Sequence, residues 1–150
     1  MEVCDGWRLW LRLILPAQMF LNSSVEEIKI GYSPLGAVPD NWLYGAAGLL
    51  RLILKHCLLP ELPPGLLQHS PALQLVDLSA NDLEHLPQDF FRNLHSLVSV
   101  NLAENKLHQT NFFHASSQPR LRQIRLAHNS VSSIDQNLLT MSALQQLDLR

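Results

Sequence analysis

The pair most suggestive of chemistry in this chain is His56-Cys57, an imidazole beside a thiol. A nucleophilic thiol needs a base within hydrogen-bond reach and a third group that orients the base. Adjacent residues of an extended segment point to opposite sides, so a strand here would separate the two and leave a thiol enzyme as the distant alternative. Seven histidines invite a metal reading, yet none of them form an HxxxH or HExxH spacing. Two cysteines, Cys4 and Cys57, make neither a disulfide scaffold nor a four-ligand zinc site. No glycine-rich phosphate loop is present. The expectation is a chain that is not an enzyme, with no catalytic residue, no metal and no cofactor. What the reactive side chains suggest instead is recognition. Arg122, Arg125 and His128 lie close enough in sequence to hold an acidic group of a partner. Tyr32, Arg51 and His56 include residue types enriched at interface hot spots.

Such side chains act only if a scaffold places them together. The 150 residues are 47% hydrophobic and 16% charged, which suits one domain with a continuous core and excludes a disordered chain. A net charge of -2 lacks the basic excess of a nucleic-acid binder, so no nucleic-acid partner is expected. Leucine accounts for 32 residues, an excess that calls for a search for repeats.

The segment LQLVDLSANDL places Leu73, Val76, Leu78, Asn81 and Leu83 at fixed offsets. LVSVNLAENKL repeats them with Leu97, Val100, Leu102, Asn105 and Leu107, and LRQIRLAHNSV with Leu121, Ile124, Leu126, Asn129 and Val131. Upstream, Leu49, Leu52, Leu54, Cys57 and Leu59 keep the phase, as do Val25, Ile28, Ile30, Ser33 and Leu35. A sixth unit opens with Leu144, Leu147 and Leu149. Units therefore start near 25, 49, 73, 97, 121 and 144, at a spacing of 24 residues except for a final 23. The fragment around each LxL alternates with period two, so it reads as a short strand with Val76, Leu78 and their equivalents turned inward. Equal units stack such strands in parallel, and the longer return path bends the stack into an arc.

This pattern, LxxLxLxx(N/C)xL, resembles the leucine-rich repeat family over residues 25–150. Leu86-Pro87 followed by Phe90-Phe91 and Leu94 resembles the tail of its 24-residue subclass, as in Toll-like receptor and proteoglycan ectodomains. The resemblance implies an α/β leucine-rich repeat solenoid. A curved parallel sheet would form the concave face; coil, 3-10 turns or short helix would form the convex one. Ser33, Cys57, Asn81, Asn105 and Asn129 fill the ladder slot. There an inward asparagine can satisfy backbone groups stranded where the chain leaves the strand, while serine and cysteine do so weakly.

Residues 1–24 fall outside the repeats and read as a leader or as a degenerate amino-terminal repeat or cap; WRLWLRLILPAQMFL is too charged for a spanning helix. Asn22-Ser23-Ser24 is a glycosylation sequon. The sixth unit is truncated at Arg150, so the chain is expected to be a fragment of a longer protein, and any membrane association to come through the missing part. Compartment stays open, with the repeat subclass favouring extracellular or cell-surface over cytoplasmic. Parity places Lys29, Ile53, Asp77, Asn101, Arg125 and Asp148 in one outward row, with Tyr32, Arg51, His56, Arg122 and His128 beside it. Arg125 and Asp148 are neighbours in that row, so a local ion pair is expected. The face suits a protein ligand better than a small-molecule substrate. The function expected is a non-enzymatic protein-interaction module of an extracellular receptor-like or adhesive protein; the alternative is an intracellular scaffold or adaptor in signalling.

Overall fold

A computed structural model describes residues 2–3 and 15–150. Its strands are β1 (Glu2–Val3), β2 (Glu27–Gly31), β3 (Arg51–Lys55), β4 (Leu75–Asp77), β5 (Ser99–Asn101), β6 (Gln123–Arg125) and β7 (Gln146–Asp148). They form one parallel sheet in sequence order, β1 to β7. Register follows the repeat: Leu52 opposes Val76, Val76 opposes Val100, and Val100 opposes Ile124. Across the last junction Ile124 opposes Leu147, so the shortened unit keeps its phase at the strand.

Inward positions explain why the coils stack. Leu52, Leu54, Val76, Leu78, Val100, Leu102 and Ile124 are all buried, and each is sealed by its counterparts in the turns before and after. A buried leucine contributes about 1.5–3 kcal/mol, so no coil holds its shape alone and the stack as a whole does. The convex return path is turn and coil with one short helix, α1 (Gln136–Leu139), whose Asn137 amide is capped by the Asp135 carboxylate. Bulk on that side comes from Phe90, Phe91, Phe112 and Phe113; the rings of Phe91 and Phe113 stack at 5.4 Å.

At the amino end β1 pairs with β2, Glu2 opposite Lys29. Leu15 and Phe20 are buried in the same core, and Phe20 meets Trp42 edge-on at 5.5 Å. Gly45 lets this segment close: its φ is 92°, and a Cβ there would lie 2.7 Å from the Phe20 carbonyl oxygen. Most of the leader-like stretch, residues 4–14, lies outside the described residues. Among the described residues no helix is long and apolar enough to cross a membrane.

Candidate functional site

The asparagine slot shows how the coils are joined. Asn81 Oδ1 accepts from the amides of Cys57 at 2.9 Å and Leu59 at 3.2 Å, both in the preceding coil. Its Nδ2 donates to Leu54 O at 2.7 Å and Leu78 O at 2.9 Å. Asn105 makes the same reach to Leu83 N and Leu78 O, and Asn129 to Leu107 N and Leu102 O. Asn81 and Asn105 are buried; Asn129 is half-buried. Cys57 and Ser33 hold the slot differently. Cys57 Sγ donates to the carbonyls of Ile30 and Lys55, and Ser33 Oγ donates to Gly31 O.

Those contacts dispose of the thiol pair. Cys57 is fully buried, and burial pushes its thiol up to about 11 despite an opposing backbone hydrogen bond from Ser33. The His56 ring lies elsewhere, stacked on Tyr32 with centroids 4.5 Å apart. Nor do the convex histidines gather into a cluster. His85 and His108 approach at 6.3 Å, and His114 lies half-buried against Gln88 O at 3.1 Å. Among the described residues no three potential ligands come together around a point that could hold a metal ion.

On the opposite side of the strands, outward side chains form two rows. Lys29, Ile53, Asp77, Asn101, Arg125 and Asp148 occupy one; Glu27, Arg51, Leu75, Ser99, Gln123 and Gln146 occupy the other. Much of their polarity is already paired. Arg51 Nε donates to Glu27 at 3.1 Å, and this bond holds the Glu27 carboxyl below its usual range. Ser99 donates to Gln123, which donates to Gln146, and Asn101 Nδ2 donates to Asp77 at 3.1 Å. Asp77, Asn101 and Asp148 also each accept from the amide two residues on, closing the chain as it leaves the strand.

Arg125 corrects the expected ion pair. Although it opposes Asp148 in register, Asp148 takes Arg150 instead, with Nε at 3.0 Å and Nη2 at 3.1 Å. Arg150 is two residues further along the same chain and closes the carboxylate in a two-pronged grip, which holds its pKa down. Arg125 and Arg122 are exposed and make no ion pair among the described residues; Lys55 is half-buried and likewise makes none.

A further row was invisible in the sequence. Tyr32, His56, Ala80, Glu104 and His128 each have φ between 52° and 57°, one per coil, where the chain turns out of the strand. None is glycine, and their types share nothing, so only the backbone reveals the row. Leu58 joins them with φ 53° and is 59% exposed. The signal that could have found it is its slot, filled by Pro34, Asp82, Lys106 and Ser130 in the other units. Asn22 is exposed at a left-handed turn with φ 61°.

Comparison with known proteins agrees with this geometry. The family model described as leucine rich repeat matches residues 23–83 and 71–118. Fibromodulin of Oryctolagus cuniculus is 30% identical over 131 residues, covering 86% of this chain and 86% of that sequence. Leucine-rich repeat-containing G-protein coupled receptor 5 of Rattus norvegicus is 32% identical over 79% of this chain but only 13% of its own length. A chain in the Drosophila Toll–Spatzle complex superposes with a TM-score of 0.82 at 26% identity, over 89% of this chain and 18% of that one. A chain in the TLR13–ssRNA13 complex gives 0.76 at 26% identity, over 86% of this chain and 18% of that one. This chain therefore spans under a fifth of either solved chain.

Proposed function

This chain belongs to the leucine-rich repeat family, and we propose that it is a non-catalytic recognition module that binds a protein partner on its concave sheet face. The observation that carries the reading is the distribution of unpaired charge. Where most polar groups of the two rows satisfy one another, Lys55, Arg122 and Arg125 offer cations with no ion-pair partner among the described residues. A rigid curved sheet holding such groups in register loses little entropy on binding. Asp77, Asn101 and Asp148, each tied to the amide two residues on, would frame the face, while Lys29, Tyr32, Arg51, His56, Arg122, Arg125 and His128 would meet the partner.

An extracellular setting is the reading we prefer. It is supported by the likeness to fibromodulin and to a G-protein coupled receptor's repeats, and by an accessible Asn22 that could carry a glycan. The pairing of β1 with β2 and the burial of Leu15 and Phe20 support reading residues 1–24 as a degenerate repeat or cap before the repeats at 25–150.

The test is a binding screen against a panel of purified extracellular proteins using three forms of the chain. These are the parent, Arg122→Glu/Arg125→Glu on the concave face, and Glu84→Lys/Arg92→Glu on the convex side. Any partner of the parent should be lost with the concave variant and kept with the convex one. The reverse pattern would overturn the reading.

A further inference from the structure

The flank where the chain leaves the sheet changes character along the solenoid. In the third and fourth coils it is ionic: Lys106 Nζ meets Asp82 at 2.8 Å, which raises the lysine's pKa, and Glu104 is exposed beside them. In the first two coils the same slots hold Tyr32 and Pro34, then His56 and Leu58. Tyr32 is 68% and Leu58 59% exposed, and Pro34 is exposed as well. The Tyr32 and His56 rings are stacked at 4.5 Å with 16° between their planes, so they form one flat aromatic ledge.

Folding alone does not ask for these residues. Tyr32, His56 and Leu58 all sit at positive φ, where glycine is the unstrained residue and a bulky side chain is costly. Tyr32 and Leu58, large and exposed, are kept at strained positions with the half-buried His56 stacked on Tyr32, which points to a use outside the fold. The charge beside them narrows that use. Lys55 directly precedes His56 and makes no ion pair among the described residues. Its neighbour in the preceding coil is Gly31, which presents no side chain, and in the following coil Ser79, whose buried hydroxyl has no hydrogen-bond partner. A cation thus adjoins the ledge along the chain, while the Ser79 hydroxyl is closed off from solvent and does not compete for it.

We propose that Tyr32, Pro34, His56 and Leu58 form a docking ledge for a protein segment in which an apolar side chain is followed closely by a carboxylate. The apolar group lies across the ledge and the carboxylate reaches Lys55. This rests on the concave face being a protein-binding surface and assigns its amino-terminal rim a specific ligand chemistry.

The experiment is an amide-shift titration of the isotope-labelled chain with three synthetic peptides: repeated Glu-Leu-Gly, repeated Lys-Leu-Gly and repeated Glu-Ser-Gly. Each is taken to about 10 mM, which fills about nine-tenths of a millimolar site. Glu-Leu-Gly should produce saturable shifts at residues 32, 55, 56 and 58 and bind at least about tenfold tighter than either control, a gap of about 1.4 kcal/mol. Tyr32→Gly/Leu58→Gly should remove that binding without lowering the melting temperature, because glycine suits both backbone positions. Lys55→Gln should erase the preference for Glu-Leu-Gly over Lys-Leu-Gly. Shifts confined to the Arg122–His128 end would overturn the ledge and leave the concave face standing. No saturable shift from any peptide, together with a panel screen in which concave charge reversal changes nothing, would overturn both.

Discussion

Replacing Asn81 by alanine tests the joints between coils. The side chain makes four hydrogen bonds within 3.2 Å, two accepted from Cys57 and Leu59 and two donated to Leu54 and Leu78. Each is worth about 0.5–1.5 kcal/mol net, and stranding buried amides adds to the loss, so Asn81→Ala should cost about 3–5 kcal/mol. Asn129→Ala removes a similar set of bonds at a half-buried site where water can substitute, and should cost only about 1–2 kcal/mol. Urea unfolding followed by circular dichroism measures both, with the denaturant slope checking that the solenoid still melts as one unit. Asn81→Asp separates the two halves of the effect, since it keeps the acceptor but turns a second oxygen on the Leu54 and Leu78 carbonyls. Its deficit should shrink as the pH falls and the carboxyl takes a proton able to donate. An Asn81→Ala loss under about 1 kcal/mol, or one equal to that of Asn129→Ala, would refute the reasoning.

Leu102→Ala empties a fully buried slot between neighbouring coils and should destabilise by about 2–5 kcal/mol in the same urea assay. Ala80→Gly relieves a residue held at φ 55° and should stabilise by about 1 kcal/mol, visible as a raised melting temperature. Gly45→Ala drives a methyl against the Phe20 carbonyl at positive φ and should cost about 2–4 kcal/mol by calorimetry. Cys57 should resist iodoacetamide at pH 8 until the chain unfolds, because its thiol is buried. With the folded thiol pushed up to about 11 from an ordinary 9.0, the unfolded chain loses this proton first. The associated stability is full below pH 9 and is lost as pH rises to about 11, which an alkaline series of melts would trace.

Fold and phase were legible because leucine spacing states them twice, once in the LxL alternation and once in the 24-residue period. Even the sixth unit, which follows a fifth of only 23 residues, could be aligned, since Leu144, Leu147 and Leu149 keep their spacing when the return path shortens. The extra strand Glu2–Val3 was not legible. Two residues carry no period, and what pairs them is the exposed edge of β2. Alternation indicates which side chains turn outward; it says nothing about which of them find each other. The Arg125–Asp148 pairing failed for that reason: Arg150, nearer along the chain, wins the carboxylate. The left-handed row was hidden more deeply still, because tyrosine, histidine, alanine and glutamate announce no shared backbone, and the turn imposes one on all of them.

The asparagine bonds have a direction. Asn81, Asn105 and Asn129 each reach toward the amino end, to amides of Leu59, Leu83 and Leu107 that belong to the turn before. Three successive turns are thus latched by their successors, as a roof tile is held by the course laid over it. Lifting one course strips the asparagine acceptor from the amide beneath it, so the Leu59, Leu83 and Leu107 protons should each begin to exchange when the turn after theirs opens.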